Sequence, residues 1–454
     1  MSGPPLDSLW KELGGFLPLV YVLPHQRSTD KRLCISHHVA EADWERLTFY
    51  TKRVHKMTYV NVSRSSSFSS TVYARLAALP NTMVLFPSLQ SVTMNVHFAA
   101  FPAASLILYV HPPPKLRVAE IQFEDKTVSD DIAFTAIYNA MYHFSTIENL
   151  KITGTSLNLQ AFADVGGGDA LKCRSSTLRS LTVSSFSING ATLRLLSHFS
   201  SLEFLDIILP PNITAQEVTA KSTGFPSLKA LVISTPRRAM ISVLGLLPPT
   251  TLKSLHIEGS DSINGQLGLE DMAALHEALA ERLTLESLTL GSPLFGSQFY
   301  VPSPEDPISG RIFHPLTTMS TVTYLSYHGP IPADIHDTPL EGWRNMRTLF
   351  LTSRLPVSHR ILQSLARCCP HLVKLTMDIS IPDEPLDGIV PTNHGLQNAH
   401  FRTRALSSPR KVALMLDLLF PHLQVVQGAA DGWKGVMDII ACLQASRKLR
   451  GHTI

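Results

Sequence analysis

A short apolar phrase recurs along most of this chain of 454 residues and constrains its fold more than any other feature. The phrase is an apolar residue, two variable residues, an apolar residue, one variable residue and a third apolar residue. The clear copies are Leu89-Val92-Met94, Ile147-Leu150-Ile152, Leu178-Leu181-Val183, Leu202-Leu205-Ile207, Leu228-Leu231-Ile233, Leu252-Leu255-Ile257, Leu285-Leu288-Leu290, Val322-Leu325-Tyr327, Met346-Leu349-Leu351 and Leu372-Leu375-Met377. Weaker copies are Leu116-Ala119-Ile121 and Leu423-Val426. Because strand side chains alternate between two faces, each phrase predicts a strand that buries one face.

The spacing of the phrases predicts the architecture. From Leu89 to Leu423, successive phrases begin 27, 31, 31, 24, 26, 24, 33, 37, 24, 26 and 51 residues apart. The shorter intervals match the roughly 20–29 residues of leucine-rich repeats, and the longer ones predict insertions. A strand and a helix in each repeat predict an α/β leucine-rich-repeat solenoid, a curved horseshoe with a parallel inner sheet and helices on the convex side.

Helical spacing appears between the phrases. A stripe of apolar residues three or four apart marks one face of a helix. Such stripes are formed by Leu193, Leu196 and Phe199, by Leu269, Met272, Leu275 and Leu279, and by Val357, Ile361, Leu365 and Cys368.

Similar corners precede several phrases. They read Phe86-Pro87-Ser88-Leu89, Phe225-Pro226-Ser227-Leu228, Phe420-Pro421-His422-Leu423 and Cys369-Pro370-His371-Leu372. Proline cannot continue a helix and favours an extended residue before it, so it fits a helix-to-strand corner. We expect the residue before each proline to fill the core at that corner.

Two regions depart from the repeat pattern. Residues 1–80 contain two helix-like stretches and the serine tract Ser63–Ser70, and we interpret them as a helical N-terminal capping segment. Residues 81–454 form the solenoid, with an irregular insertion near 379–410. Gly432–Leu449 is predicted to be a helix that caps the C-terminal end, since terminal repeats need a cap.

Composition excludes several classes of protein. Apolar residues make up 44% of the chain and charged residues 17%, so global disorder is not expected. A net charge of +3 gives no electrostatic reason to expect a nucleic acid or an anionic membrane as partner. The five cysteines are odd in number and irregularly spaced, which predicts free thiols in a reducing compartment. With no signal peptide and no apolar run long enough to span a bilayer, we expect an intracellular protein, cytoplasmic or nuclear.

Motifs for catalysis are missing from the sequence. It has no phosphate loop, no nucleophile elbow and no zinc-binding His-Glu-x-x-His helix. Gly166–Asp169 is glycine-rich but has no flanking lysine, and a reactive thiol at Cys368-Cys369 would need a nearby base. We therefore expect a protein that is not an enzyme and that uses no cofactor and no metal.

The concave face of the sheet is the candidate functional surface. The residues between the second and third apolar positions should face away from the core, and they are Thr93, Lys151, Thr182, Asp206, Val232, His256, Thr289, Ser326, Phe350 and Thr376. Those just after the third apolar position are Asn95, Thr153, Ser184, Ile208, Ser234, Glu258, Gly291, His328, Thr352 and Asp378. Apolar residues amid polar ones indicate a protein-binding patch. The candidate partner-binding residues are Lys151, Asp206, Ile208, Val232, His256, Glu258, His328, Phe350 and Asp378. The alternative is that this surface is simply a solvated face of the sheet.

Two N-terminal motifs carry a family resemblance. They are Leu6–Leu13 with Leu17-Pro18-Leu19 and Leu23-Pro24, and Ala42–Tyr50 continuing through Arg53-Val54. With the Phe-Pro-Ser-Leu corners, they resemble the fungal F-box-like leucine-rich-repeat proteins that are abundant in mushroom-forming fungi, where such segments follow the F-box.

That resemblance implies the function. Members of the family are taken to be substrate-recognition components of SCF-type ubiquitin ligases, in which the F-box binds a Skp-type adaptor that links to a cullin and the repeats bind the target protein. Only Met1–Pro5 precede the first motif, too few residues for an F-box, so no residue here takes the adaptor-binding role. A Skp-type adaptor and a cullin are expected partners only if an F-box lies upstream. The alternative is a leucine-rich-repeat scaffold with no ubiquitin ligase role.

The N-terminal motifs also have a physical interpretation. Leu6, Leu9, Trp10 and Leu13 form one apolar helical stripe, and Trp44, Leu47 and Val54 form a second one with a skip. We expect both to cap the first repeat, whose apolar face would otherwise be in contact with water.

Overall fold

A computed structural model describes residues 4–28, 32–36, 38–59, 70–78, 84–96, 107–123, 130–154, 174–210, 213–214, 216, 224–235, 237–259, 269–291, 310–329, 331–332, 334–353, 356–381, 388–402, 406, 408–428 and 432–449. The chain divides into two compact units. The N-terminal unit comprises Met1–Ile213 and Ala220–Leu228, and the C-terminal unit comprises Thr214–Thr219 and Lys229–Ile454. The serine tract up to Ser69, the glycine-rich Gly166–Asp169 and Cys173 lie outside the described residues.

A parallel sheet forms the centre of the N-terminal unit. The strands of this unit are β1 (Glu12–Leu13), β2 (His25–Arg27), β3 (Leu33–Ile35), β4 (Lys56–Tyr59), β5 (Ser91–Val96), β6 (Val118–Phe123), β7 (Asn149–Gly154), β8 (Ser180–Ser187) and β9 (Phe204–Ile208). Its helices are α1 (Pro4–Trp10), α2 (Leu17–Val22), α3 (Glu41–Thr51), α4 (Ser70–Ala77), α5 (Asp130–His143) and α6 (Gly190–Ser197). Strands β1 and β4 to β9 pair in chain order, all parallel, and β2 and β3 form an antiparallel ribbon.

The C-terminal unit repeats this arrangement. Its strands are β10 (Ala230–Thr235), β11 (Ser254–Gly259), β12 (Ser287–Leu290), β13 (Tyr324–His328), β14 (Thr348–Thr352), β15 (Val357–Ser358), β16 (Lys374–Ser380), β17 (Asn398–Arg402) and β18 (Val425–Gly428). Its helices are α7 (Arg237–Leu246), α8 (Leu269–Ala280), α9 (Gly310–Thr317), α10 (Ile361–Cys368), α11 (Pro409–Leu419) and α12 (Trp433–Leu449), with short 3-10 helices at Ile335–Asp337 and Glu341–Asn345. Strands β10 to β14 and β16 to β18 pair in chain order, all parallel, while β15 pairs with the far end of β16.

The repeated phrase sets the register of both sheets. Its second apolar residue lies beside its counterpart on the next strand, as Leu150 does beside Leu181 and Leu325 beside Leu349. These four side chains are at most 3% exposed, and burying each stabilises the fold by about 1.5–3 kcal/mol. Parallel strands in register, each with a buried apolar ladder and joined by helices, confirm the predicted α/β leucine-rich-repeat fold.

The residue before the proline is a core position in all four of the predicted corners. Phe86, Phe225, Cys369 and Phe420 are at most 1% exposed. The same position is fully buried in three repeats that lack this proline, where it is occupied by Phe144, Phe199 and Trp343. A large side chain here fills the space between the end of one helix and the start of the next strand.

Buried polar side chains form hydrogen bonds with the last carbonyls of several helices. The last carbonyls of a helix have no partner within it. The Arg282 guanidinium donates to the carbonyls of Leu244 and Leu247, at the end of α7, at 2.6 Å each. Arg174 does the same at the end of α5, with its Nε 2.5 Å from the carbonyl oxygen of Met141. The Trp343 indole donates to Leu316 of α9 at 2.8 Å. In these three cases, a side chain of one repeat donates to helix-end carbonyls of the neighbouring repeat that have no partner within their own helix.

A backbone ladder runs along the edge of each sheet where the strands begin, which we call the rim. The residue just before a strand offers one carbonyl to two consecutive N–H groups of the next repeat. Arg117 accepts from Glu148 and Asn149, both at 2.9 Å, and Lys253 accepts from Glu286 and Ser287 at 2.8 and 3.0 Å. The other carbonyls that accept in this way belong to Lys11, His55, Gln90, Glu148, Arg179, Lys229, Glu286, Thr323, Arg347, Val373 and Gln397.

Two additional repeats lie where the sequence pattern did not indicate them. Strand β4 belongs to the phrase Val54-Met57-Tyr59, so the repeats begin before residue 81. Strand β17 belongs to Leu396-Ala399-Phe401, so the predicted irregular insertion at 379–410 contains a repeat strand in register. In both phrases the middle leucine is replaced, by methionine or alanine, yet that residue is at most 3% exposed.

Three predicted apolar stripes need correction. Val357 belongs to β15, and α10 begins only at Ile361. Helix α1 ends at Trp10, and Leu13 instead forms β1 beside β4. Leu9 is 72% exposed, so the predicted capping stripe is wrong at this residue. The Trp10 ring packs against Tyr50, with ring centroids 4.4 Å apart and the rings tilted by 33°. In the second stripe Leu47 is buried on α3, whereas Val54 lies beyond the end of that helix.

Helices α6, α8 and α12 agree with the sequence pattern. Leu193, Leu196, Leu275 and Leu279 are at most 3% exposed. Helix α12 packs against α11 and β18, and Trp433 at its start stacks on Phe401 at 5.3 Å between ring centroids. The final helix therefore covers the last repeat of the C-terminal unit.

Candidate functional site

The side of each sheet that faces away from its buried apolar ladder carries the nine predicted site residues, and we call it the open face. Each of the nine is exposed or half-buried and alternates with a buried neighbour along its strand. The N-terminal unit holds Lys151, Asp206 and Ile208. The C-terminal unit holds Val232, His256, Glu258, His328, Phe350 and Asp378. They therefore form two sets, one on each unit.

In the N-terminal unit the open face has an ion pair. Lys151 Nζ on β7 lies 2.6 Å from Glu120 Oε1 on the neighbouring β6, and Thr93 on β5 lies 3.5 Å from Glu120 Oε2. Burial alone would raise the pKa of Glu120, but hydrogen bonds from Lys151, Gln122 and Thr93 and the charge of Lys151 lower it overall. The charge of Lys151 is thus largely neutralised by its neighbour.

His328 is the most constrained polar residue on the open face of the C-terminal unit. Its Nε2 lies 2.9 Å from the Ser326 hydroxyl, and its Nδ1 lies 2.5 Å from the Thr352 hydroxyl. Burial lowers the pKa of His328, and the positive charges of Arg402 and His256 lower it further. A neutral imidazole has one N–H and one lone pair, so it donates to one hydroxyl and accepts from the other. The ring is held as a neutral hydrogen-bonded bridge between β13 and β14.

Charged groups lie on both sides of His328. On β11, His256 Nε2 is 3.5 Å from Glu258 Oε1. On β16, Asp378 accepts a hydrogen bond from the Ser353 N–H at 2.9 Å. Burial raises the pKa of Asp378, although the Ser353 N–H and the charges of Arg402 and His400 oppose that change.

Aromatic side chains meet on the same open face. The rings of Tyr324 on β13 and Phe350 on β14 have centroids 5.8 Å apart and are tilted by 52°. Both side chains are half-buried, so part of each ring remains accessible. Aromatic pairs of this kind are frequent anchors in protein interfaces.

Catalytic chemistry is poorly supported by these groups. Ser326 and His328 have the contact of a nucleophile and its base, but a hydroxyl rather than a carboxylate orients the imidazole, and Ser326 is only 5% exposed. Burial raises the pKa of Cys369 to about 12, so this thiol is not a thiolate at neutral pH. Within the described ranges, no three His, Cys, Asp or Glu residues lie close enough to hold a metal ion.

A polar groove of about 830 Å³ lies along the rim of the N-terminal unit. Four of its five charged side chains pair with one another, Arg117 with Glu148 at 3.7 Å and Arg179 with Glu203 at 3.5 Å. The Ser227 hydroxyl donates to the Ser200 carbonyl of the preceding repeat at 2.6 Å. These groups are engaged within the fold, so the groove offers a ligand little that is unpaired.

Several open-face residues next to the predicted ones were missed. Glu120 lies in a weak phrase that the sequence already indicated, whereas His400 and Arg402 lie on β17, whose phrase was not recognised. Lys374 lies on the open face at the start of β16, two residues before the predicted open-face residue Thr376. The interval of 51 residues between Leu372 and Leu423 is the sequence signal that marks the missing repeat.

Comparison with known proteins adds a structural likeness and no sequence relative. No protein-family model and no curated protein sequence matches this chain. Among solved structures, a chain of the Rad7 and Elc1 complex from yeast is similar, with a TM-score of 0.36 and 15% identity over 82% of this chain and 75% of that chain. The fold assignment rests on the strands and their register rather than on this likeness. No helix in the described parts of the chain is long and apolar enough to cross a bilayer.

Proposed function

We propose that this chain is a non-enzymatic protein-binding leucine-rich-repeat protein whose partner binds on the open face. The observation that carries the proposal is the Tyr324–Phe350 pair, an accessible aromatic surface surrounded by histidines and charged groups of the C-terminal unit. Aromatic anchors within a polar surround are the pattern of an interface hot spot.

Within that role, we propose substrate recognition for an SCF-type ubiquitin ligase. The support is the resemblance of Leu6–Leu13 and Ala42–Val54 to the segments that follow the F-box in F-box-like leucine-rich-repeat proteins. Four free cysteines in the described residues, Cys34, Cys368, Cys369 and Cys442, support a reducing intracellular location. The alternative is an interaction scaffold with no ubiquitin ligase role.

The test is affinity purification of the tagged endogenous protein, compared with a Phe350→Ser variant. The matched control is Tyr142→Ser, which removes a 55% exposed aromatic ring from α5. We expect one partner to be lost with Phe350→Ser, retained with Tyr142→Ser, and to bind the purified wild-type chain directly in calorimetry. If no partner depends on Phe350, binding at the open face is wrong.

The same purification separates the two roles. If an F-box lies upstream, a Skp-type adaptor and a cullin should be present with the wild type and with both variants, because neither substitution changes the F-box. If the Phe350-dependent partner is recovered without adaptor and cullin, the scaffold alternative is correct and the ligase role is wrong.

A further inference from the structure

Positive charge is concentrated on two adjacent strands of the open face in the C-terminal unit. Lys374 begins β16, while His400 and Arg402 lie on the open face of β17. Register places His400 beside Thr376 and Arg402 beside Asp378. Lys374 and Arg402 are exposed and His400 is half-buried. We call Lys374 and Arg402 the cationic patch, and His400 lies between them.

Two cations elsewhere on the sheets have a carboxylate on the neighbouring strand or rim. Lys151 pairs with Glu120 at 2.6 Å, and Lys253 pairs with Glu286 at 2.9 Å. Neither Lys374 nor Arg402 forms an ion pair with any residue that the structure describes. Asp378, the carboxylate beside Arg402, accepts a hydrogen bond from the Ser353 N–H and offsets part of the Arg402 charge, while Lys374 has no such neighbour. The cationic patch therefore has net positive charge.

An aromatic surface borders the cationic patch. Phe350 lies beside Thr376 in register, one strand from Lys374 and two from Arg402. Neighbouring strands are about 4.8 Å apart and a strand rises about 3.3 Å per residue. Lys374 and Arg402 are offset by one strand and four residue positions, which places their backbones about 14 Å apart. An extended peptide covers that distance in about four residues, and residues two apart then point to the same side.

We propose that the cationic patch binds an extended acidic segment of the partner protein with the pattern acidic-x-apolar-x-acidic. The two carboxylates pair with Lys374 and Arg402, and the apolar side chain between them packs against Phe350, which is level with it on the neighbouring strand. Arg402 offers a planar fork of donors that suits a carboxylate. This inference rests on the proposed function, since it specifies the chemistry of the partner that binds the open face.

The test uses a fluorescein-labelled peptide containing Glu-Ser-Leu-Ser-Glu between Gly-Ser flanks, with binding to the full chain measured by fluorescence anisotropy. Matched peptides replace both Glu by Gln, or Leu by Ser. We expect Arg402→Gln and Lys374→Gln each to weaken binding about tenfold, as for the loss of one charge-assisted hydrogen bond. The control Arg344→Gln removes an exposed charge from the 3-10 helix Glu341–Asn345 and should leave binding unchanged.

Three outcomes would overturn the proposal. One is equal binding of the Glu and Gln peptides, and another is no Glu-dependent binding up to millimolar concentration. The third is tighter, Arg402-dependent binding of a uridine decamer or of phosphatidylserine vesicles, which would assign the patch to a nucleic acid or a membrane.

Failure here is distinguishable from failure of the proposed function. If the Phe350-dependent partner binds the Arg402→Gln variant with unchanged affinity, the acidic segment is wrong while binding on the open face stands. If no partner depends on Phe350, but the Glu peptide binds through Arg402, the patch stands and the proposed anchor is wrong.

Discussion

Single side chains at the helix ends contribute to the stability of the contact between one repeat and the next. Arg282 occupies the corner where other repeats have phenylalanine, and it is 8% exposed. On folding, its guanidinium loses hydrogen bonds to water and donates instead to two carbonyls at the end of α7. Burial lowers the pKa of Arg282, partly opposed by Glu281, so the buried charge has a cost that the two hydrogen bonds offset.

Substituting Arg282→Met tests that balance. Methionine keeps the length of the side chain but leaves the carbonyls of Leu244 and Leu247 without this donor. We expect the free energy of unfolding to fall by about 1–3 kcal/mol, measured by urea denaturation. Arg344→Met, at an exposed position, should change it by less than about 0.5 kcal/mol. A variant at Arg282 as stable as the wild type would show that the hydrogen bonds contribute nothing net.

Helix α12 covers the last repeat, and its packing there depends on close contact between Gly428 of β18 and Trp433 of α12. Gly428 ends β18, and Trp433, 3% exposed, lies directly over it. A methyl group at position 428 would collide with the indole ring of Trp433. The glycine is needed because it leaves room for the tryptophan that stacks on Phe401.

Substituting Gly428→Ala should therefore destabilise the C-terminal end. We expect a loss of about 1–3 kcal/mol, typical of overpacking a buried contact, seen as faster hydrogen exchange in α12. The matched control is Gly435→Ala within α12, where an added methyl meets no atom within 4 Å. That control should stabilise α12 by up to about 1 kcal/mol. Equal exchange in wild type and Gly428→Ala would contradict the close packing.

The strands show how far the sequence predicts the structure. Apolar residues at three fixed positions located the clear strands, because a buried ladder requires that spacing. Val54-Met57-Tyr59 and Leu396-Ala399-Phe401 have the same spacing but no leucine at the middle position, and β4 and β17 were missed. The open-face positions follow from strand alternation, and all nine candidates were placed there. Their partners were not predictable, since Glu120, Thr352 and Arg402 are brought near them by register between strands.

Three histidines, one buried and two half-buried, each make stability decrease as the pH falls. Burial lowers the pKa of His143 in the N-terminal unit and of His328 and His394 in the C-terminal unit. His394 donates from Nε2 to the Cys369 carbonyl and accepts at Nδ1 from the Leu396 N–H, so only the neutral ring satisfies both contacts. At each of these three histidines, protons therefore bind the unfolded chain more tightly than the folded one.

We expect the free energy of unfolding to be highest above the ordinary histidine pKa of about 6.5 and to decrease as the pH falls below it. Urea denaturation at a series of pH values measures this. His394→Gln, which cannot titrate in this range, should show a shallower decrease between neutral and mildly acidic pH. A variant with the same slope as the wild type would exclude His394 as a contributor.

The rim ladder has a consequence for how the gene can change. Every junction within a unit uses the same two backbone N–H groups and the same single carbonyl, whatever the side chains are. Duplication or loss of one whole repeat through unequal recombination would recreate an equivalent junction and leave no backbone group unbonded. Insertion of part of a repeat between two strands would not. Lineages of this protein are therefore expected to differ in length by whole repeats, with shorter insertions confined to the loops that follow the strands.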